Sequence, residues 1–436
     1  MPITQMLLPV GVILTLLALG YFGSPLWIWS ILMLLATILL GAKVWVIALS
    51  SVILAFLNIP SLRRAIFTGP VMLLMKKLKI MPEISETEKV ALEAGSTWID
   101  GELFSGSPDF RRILGESYPR LNDEEQRFID NQCNKICEIM DDHAAYRDGD
   151  LPKAAWDYLK QEKFLGLIIP KEFGGLGFSA LGHSAVISKL ASRSIPLTIT
   201  VMVPNSLGPG ELIAHYGTDE QKKKYLSSLA KGKDIPCFGL TEPQAGSDAG
   251  SITSSGVIFK GKDGKLYIRL NWEKRWITLG AASTLLGLAV KVSDPEQLLG
   301  KGKDCGITCV LVPADTEGVI QGNRHDPLDV PFINSPLIGK DVVVSIDQII
   351  GGRDGIGKGW KMLMESLAAG RSISLPSQSA GGSKVITRIS SAYSQVRRQF
   401  GLPIGDFEGV DEALARIVSN TYIIESARIF TAGAVD

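Results

Sequence analysis

The run Cys237-Phe238-Gly239-Leu240-Thr241-Glu242-Pro243-Gln244-Ala245-Gly246-Ser247-Asp248-Ala249-Gly250-Ser251 gathers hydroxyls, turn formers and side-chain-free positions into one short segment. Gly246 and Gly250 let backbone amides approach a ligand with no side chain in between. Ser247 and Asp248 follow Gly246 directly, where a turn or a helix start would present free N–H groups to phosphate. Thr241 adds a hydroxyl that both donates and accepts. Binding of a phosphate-bearing molecule is the chemistry such a segment fits, and a Gly/Ser-rich surface loop is the plainer alternative. Glu242 and Asp248 are expected to hold the loop by accepting backbone N–H bonds, not to act as a base.

Three further segments carry candidate chemistry. Trp276-Ile277-Thr278 follows a hairpin signal and, taken alone, reads as core packing. Arg397-Arg398-Gln399-Phe400-Gly401 places a basic pair at a helix end, where a cation complements the helix dipole. Gly370-Arg371 sits inside a helical pattern.

Taken together these marks resemble the acyl-CoA dehydrogenase family. Leu167-Ile168-Ile169-Pro170-Lys171-Glu172-Phe173-Gly174-Gly175-Leu176-Gly177 and Gly217-Thr218-Asp219-Glu220-Gln221 add to the likeness, which runs from about Asn122 to the end. With the apolar N-terminus, the chain looks most like the large membrane-associated bacterial enzymes of fatty-acid β-oxidation. The resemblance implies FAD as cofactor and α,β-dehydrogenation of a fatty acyl-CoA. It implies that backbone at Phe238, Leu240 and Thr241 meets the flavin ring, that Gly246 and Ser247 lie by the pyrophosphate, and that Ser247 also nears the substrate. Trp276, Ile277 and Thr278 would line the ring, with the threonine bonding its reactive edge. Arg397, Gln399 and Phe400 would reach the FAD of a neighbouring subunit, which implies a homo-oligomer. Arg371 would lie near the thioester. Some relatives carry a catalytic glutamate just before that arginine, but here the position is Gly370; Ala368 likewise replaces an acidic residue. In most relatives the base lies well past the Arg-x-Gln-Phe-Gly mark, so it is expected beyond Asp436, and the chain reads as a truncated, inactive portion of an enzyme. An electron-transfer flavoprotein is the expected electron acceptor. An acyl-CoA oxidase or a flavin monooxygenase of the same fold is the first alternative. A non-catalytic membrane module that binds acyl-CoA is the second.

The elements that must hold these residues follow from the hydropathy pattern. Helical, strand and again helical patterns cover 122–233, 234–350 and 351–436, so the expected fold is α+β; the resemblance implies that these are an N-terminal helical domain, a central β-barrel domain and the start of a C-terminal helical bundle. A membrane anchor (1–62) and a basic flank with linker (63–121) precede them. Helical spacing of Phe128, Ile129, Cys133, Ile136 and Met140 follows an Asn122 cap, and Thr218 with Gln221 forms a capping box. Asp263-Gly264 between the runs Val257–Lys260 and Leu266–Leu270 predicts a hairpin, with a further strand at Arg275–Leu279. Helices are expected over Ile386–Phe400 and Val410–Phe430.

Formal charge is zero, with 45 basic and 45 acidic residues, so nothing points to nucleic acid. Lys43 is the only charged side chain from Met1 to Leu62. Leu7–Phe22, Leu26–Leu40 and Val44–Leu57 are apolar runs, and about two transmembrane helices are expected from them. Arg63, Arg64, Lys76, Lys77 and Lys79 follow, which by the positive-inside rule keeps the enzyme domain on the cytoplasmic face of a bacterial inner membrane. The five cysteines are expected to be reduced, mostly buried thiols with no metal role, since neither close pair has zinc-knuckle spacing.

Overall fold

Asn122 opens a helix at Asp123 through a capping box: its side chain accepts the backbone N–H of Glu125, whose carboxylate accepts the Asn122 N–H in return. This structure is a computed structural model; it describes residues 14–78, 80, 84, 86–93, 98–106, 108–206 and 208–436. The chain divides into two units, residues 1–86 with 97–115, and 87–96 with 116–436.

In the first unit the apolar stretch is cut into short helices, Leu26–Leu39 and Val44–Asn58. Pro25, a left-handed Gly41 and Pro60 make the cuts. The Asn58 amide donates to Ser30 Oγ at 2.7 Å and ties the two helices together. The expected transmembrane helices are therefore not seen as such. No single helix among the described residues is long and apolar enough to cross a membrane; only Val44–Asn58 and Pro60–Lys77 together meet the requirement, across a 90° bend. Residues 7–13 of the first apolar run, and Lys79 with residues 81–83, 85, 94–97 and 107 of the basic flank and linker, lie outside the described residues.

The second unit begins with helices that bury Phe128, Ile136, Leu159, Phe164, Ile187 and Leu197 in one core. Thr218 and Gln221 form the predicted capping box, and Gln221 also donates to the carbonyls of Asp347 and Ile349. Seven strands follow: β1 (Pro236–Gly239), β2 (Ser255–Lys260), β3 (Leu266–Thr278), β4 (Leu285–Ser293), β5 (Asp304–Pro313), β6 (Val319–Gln321) and β7 (Asn334–Ser345). The expected barrel is an open seven-stranded sheet in the order β1-β4-β2-β3-β7-β6, with β5 on the other side of β4. β1 and β2 both pair parallel to β4, at different ends of it. The hairpin at Asp263-Gly264 forms as predicted, and Arg275–Thr278 continues the same strand instead of starting a new one; the strand ends before Leu279.

The two helices expected after the sheet differ in extent. One unbroken helix of 38 residues, Gly359–Val396, carries Met362 and Leu363 into a core shared with Leu212 and Ile213 of helix Pro209–Tyr216 and with Leu285 and Leu311 of the sheet. It ends at Val396, so Arg398–Gln399 is not helical but forms a short strand, β8, paired with β9 (Leu402–Pro403). Phe400 and Gly401 turn the hairpin with positive φ angles of 52° and 81°. Helix Glu408–Val435 closes the described chain.

Candidate functional site

Two segments distant in sequence meet at one edge of the sheet. The Arg275 N–H donates to the Thr241 carbonyl at 3.0 Å, which fixes the loop after β1 beside the end of β3. Beneath that contact Lys274 is fully buried. Its ammonium donates to the Leu240 carbonyl at 3.1 Å, the Ala289 carbonyl at 2.9 Å and Glu242 Oε1 at 2.8 Å. Glu242 also accepts from the backbone N–H and the hydroxyl of both Thr253 and Ser254. Burial pushes the Glu242 carboxyl up, but the bonds from Lys274, Ser254 and Thr253 outweigh it and hold the group at about 2. Burial pulls the Lys274 ammonium down, and Glu242 partly offsets this. Glu242 is thus the loop holder expected of it, and Lys274 is a residue that motif reading missed. The signal was present: Ile268, Leu270 and Trp272 alternate toward the core, and Lys274 is next in that series.

Beyond Glu242 the loop turns outward. Gly246, Ser247 and Asp248 are exposed, and a Cβ built on Gly246 would meet nothing within 4 Å. Asp248 accepts the Ser251 hydroxyl. Phe238 and Leu240 are half-buried, and Phe238 lies so close to Gly287 that a Cβ there would meet its ring at 2.6 Å.

β3 shifts register between Lys274 and Ile277. At that irregularity Trp276 has φ +61°, an unusual conformation for a bulky residue. The outcome is an indole that stands 53% exposed on the sheet edge. His325 packs on it with ring centroids 4.2 Å apart, and the Arg275 guanidinium lies 5.3 Å from the ring. The bulge turns Ile277 inward, where it is buried in the sheet core, so only its backbone faces the edge. Thr278 is half-buried, and its Oγ1 accepts from Asn334 Nδ2 at 3.3 Å.

A flavin nucleotide needs an aromatic wall, a hydrogen-bonding group at the ring edge and backbone open to phosphate. Trp276, Thr278 and the open face of Gly246–Ser247 supply these beside the Arg275–Thr241 contact, so the residues present fit the group.

The other predicted residues are not drawn into this edge. Arg397, Gln399 and Phe400 are exposed on the β8–β9 hairpin, Phe400 to 94%, and no hydrogen bond or ion pair among the described residues ties their side chains to the loop. Arg371 is exposed on the long helix and likewise makes no such bond to Ser247. A Cβ on Gly370 would meet the Ser206 carbonyl oxygen at 2.4 Å, so the helices pack too closely there for a glutamate. The side chain of Ala368 lies outside the described residues.

A cavity of about 320 Å³ lies among helices of the second unit, lined by His183, Asn205, Glu211, Gly370 and Ile373. Glu211 Oε2 and His183 Nε2 are buried there without a hydrogen-bond partner among the described residues. Burial raises the Glu211 carboxyl to about 7 and lowers the His183 imidazolium to about 4. Neither residue was singled out from sequence, because nothing in the local pattern marks which polar side chains lose their water.

Residues 118–233 match the N-terminal domain of acyl-CoA dehydrogenases, 237–342 the middle domain and 357–436 the C-terminal domain. The probable acyl-CoA dehydrogenase YngJ of Bacillus subtilis is 31% identical over 63% of this chain and 69% of its own length. The chain belongs to the acyl-CoA dehydrogenase family. That family comprises FAD-dependent oxidoreductases acting on acyl-CoA. The human mitochondrial very long-chain specific acyl-CoA dehydrogenase is 28% identical over 86% of this chain, which spans 56% of that protein. The caffeyl-CoA reductase-Etf complex subunit CarC of Acetobacterium woodii is 31% identical over 68% of this chain and 73% of its own. Butyryl-CoA dehydrogenase from Megasphaera elsdenii superposes with a TM-score of 0.63 at 26% identity, over 73% of this chain and 80% of that one.

Proposed function

We propose that this chain is the FAD- and acyl-CoA-binding portion of an acyl-CoA dehydrogenase that converts fatty acyl-CoA to trans-2-enoyl-CoA, the opening step of β-oxidation. The observation that carries the reading is the Arg275–Thr241 contact, which ties the loop leading to the open Gly246–Ser247 segment to the strand that carries the strained, exposed Trp276. When bound, FAD supplies the acceptor for the electron pair removed from the substrate. The chain holds it in place. Trp276 covers the ring, Thr278 offers its hydroxyl, and the backbone of Phe238, Leu240 and Thr241 lines the opposite approach. Gly246 and Ser247 receive phosphate without a side chain in the way. Lys274 and Glu242 keep that loop rigid from beneath, so little ordering cost falls on binding. Ser247 and Arg371 contact the acyl-CoA. Arg397, Gln399 and Phe400, exposed on their hairpin, serve the FAD of a second copy. An electron-transfer flavoprotein takes the electrons onward, a reading supported by the Etf-complex membership of CarC.

Long, water-poor acyl chains suit a bacterial inner-membrane location with the enzyme domain toward the cytoplasm. The apolar helices of the first unit support it: Leu39, Leu40 and Val44 stand exposed among them. Flotation of the chain with vesicles of phosphatidylethanolamine and phosphatidylglycerol, against a chain lacking residues 1–62, tests this part.

The function is tested by anaerobic FAD titration followed by a long-chain acyl-CoA. A bound flavin spectrum that changes on adding acyl-CoA supports the reading. A chain that takes up neither FAD nor acyl-CoA refutes it.

A further inference from the structure

We infer that His325 and Asn334 form a donor chain that aims the Thr278 hydroxyl proton out of the sheet, at an acceptor on the edge of a bound flavin ring. The inference rests on the flavin reading of Trp276–Thr278 given above and assigns roles to two residues outside its marks.

Thr278 and Asn334 face each other across the antiparallel β3–β7 pair. Asn334 Nδ2 donates to Thr278 Oγ1 at 3.3 Å, and Asn334 is buried. Its amide oxygen lies 2.8 Å from His325 Nδ1. An amide oxygen only accepts, so Nδ1 carries the proton in this pair. The His325 backbone N–H also donates to the Asn334 carbonyl, at 2.7 Å. Two bonds therefore hold His325 to Asn334, and the imidazole keeps the amide from turning over. With Asn334 Oδ1 occupied and Nδ2 donating, the Thr278 proton has no acceptor among the described residues. It is committed to whatever enters in front of the strand.

His325 is itself well placed for this. The loop that carries it is pinned by Arg324, which donates to the Gly149 carbonyl at 2.8 Å and to Asp150 at 3.1 Å. The imidazole packs on Trp276, so one side chain braces the indole and orients the amide behind the hydroxyl. His325 and Asn334 are positioning residues: they act on the ligand through Trp276 and Thr278.

The test uses the full chain and FAD as probe, read by quenching of flavin fluorescence and by the visible spectrum of the bound flavin. The variants are Thr278→Val, Asn334→Ala, His325→Phe and the double Thr278→Val/Asn334→Ala. His325→Phe keeps a ring over Trp276 and the backbone bond to Asn334, and removes only the side-chain donor. Each single variant is expected to weaken FAD by roughly 5- to 10-fold, the worth of one hydrogen bond, and to share one displaced flavin band. The double variant is expected to bind no worse than Thr278→Val alone, because the two act as one unit. Thr278→Ser restores the unaltered spectrum. If His325→Phe and Asn334→Ala leave affinity and spectrum unchanged while Thr278→Val alters both, the donor chain is wrong and the flavin reading stands. Tighter FAD binding by Asn334→Ala overturns it as well, since the amide would then be accepting the hydroxyl proton. If the unaltered chain takes up no FAD, the flavin reading falls first and the donor chain with it.

Discussion

Lys274 Nζ lies 2.8 Å from Glu242 Oε1, and neither side chain is more than 2% exposed. A buried pair of this kind contributes little net stability over an apolar replacement, yet loss of one partner strands a charge in the interior. Lys274→Met is expected to destabilise the second unit by about 3–5 kcal/mol, measured by urea unfolding at neutral pH. Lys274→Met with Glu242→Gln should recover part of that loss. The pair also sets an acid limit. Glu242 is held at about 2 when folded, below its ordinary 4.5, so its contribution is full above 4.5 and fades as pH falls toward 2. Unfolding midpoints measured from pH 6 to pH 2.5 should drop more steeply for the unaltered chain than for Glu242→Gln.

Glu211 has the opposite sign. Its folded carboxyl is raised to about 7 by burial, so the neutral acid is the form that suits the cavity. The carboxyl costs nothing below its unfolded value, and stability is lost as pH rises from there through 7. Glu211→Gln is therefore expected to be near neutral at pH 5 and stabilising by roughly 1–3 kcal/mol at pH 8. Equal effects at both pH values would show that the carboxyl is hydrated.

Trp276 is half outside the fold and bent into a left-handed conformation. Trp276→Ala should leave thermal stability within roughly 0.5 kcal/mol, yet weaken FAD about tenfold, which is ~1.4 kcal/mol. Calorimetric melts of the cofactor-free chain and a flavin titration separate the two quantities.

Arg397 tests the oligomer. Its side chain is exposed, so Arg397→Ala should not move the unfolding midpoint of a single copy. If the hairpin serves a neighbour, the variant loses FAD affinity only at protein concentrations where copies associate. Titrations well below and well above the association constant, paired with sedimentation velocity, decide this.

The N-terminal caps, the hairpin at Asp263-Gly264 and the change from helix to strand near Ile235 were legible because each is set by near neighbours in sequence. The runs Leu26–Leu40 and Val44–Leu57 also match the helices of the first unit to within a residue. What they did not announce is that no single one is long enough to span, or that the chain bends by 90° at Pro60. The loop after β1 was readable as a ligand segment, whereas its support was not: Lys274 looks like a surface residue until the alternation of β3 is followed to its end. His325 and Asn334 are invisible to motif reading, since only the β3–β7 register brings Asn334 to Thr278. The unbroken Gly359–Val396 helix runs through Pro376, where a sequence rule predicts a break.

The parallel pairing of β1 with β4 has a kinetic side. Pro236 pairs with Leu285 across a stretch of chain that contains β2 and β3, so the ligand loop hangs from a non-local contact, and that contact is expected to close late. Non-local parallel pairings are slow to form because chain entropy is lost before they reward it. On that order a nucleotide is expected to enter a completed sheet and not to template early collapse. In refolding, tryptophan fluorescence should recover before flavin quenching begins, and excess FAD should leave the first phase unhurried.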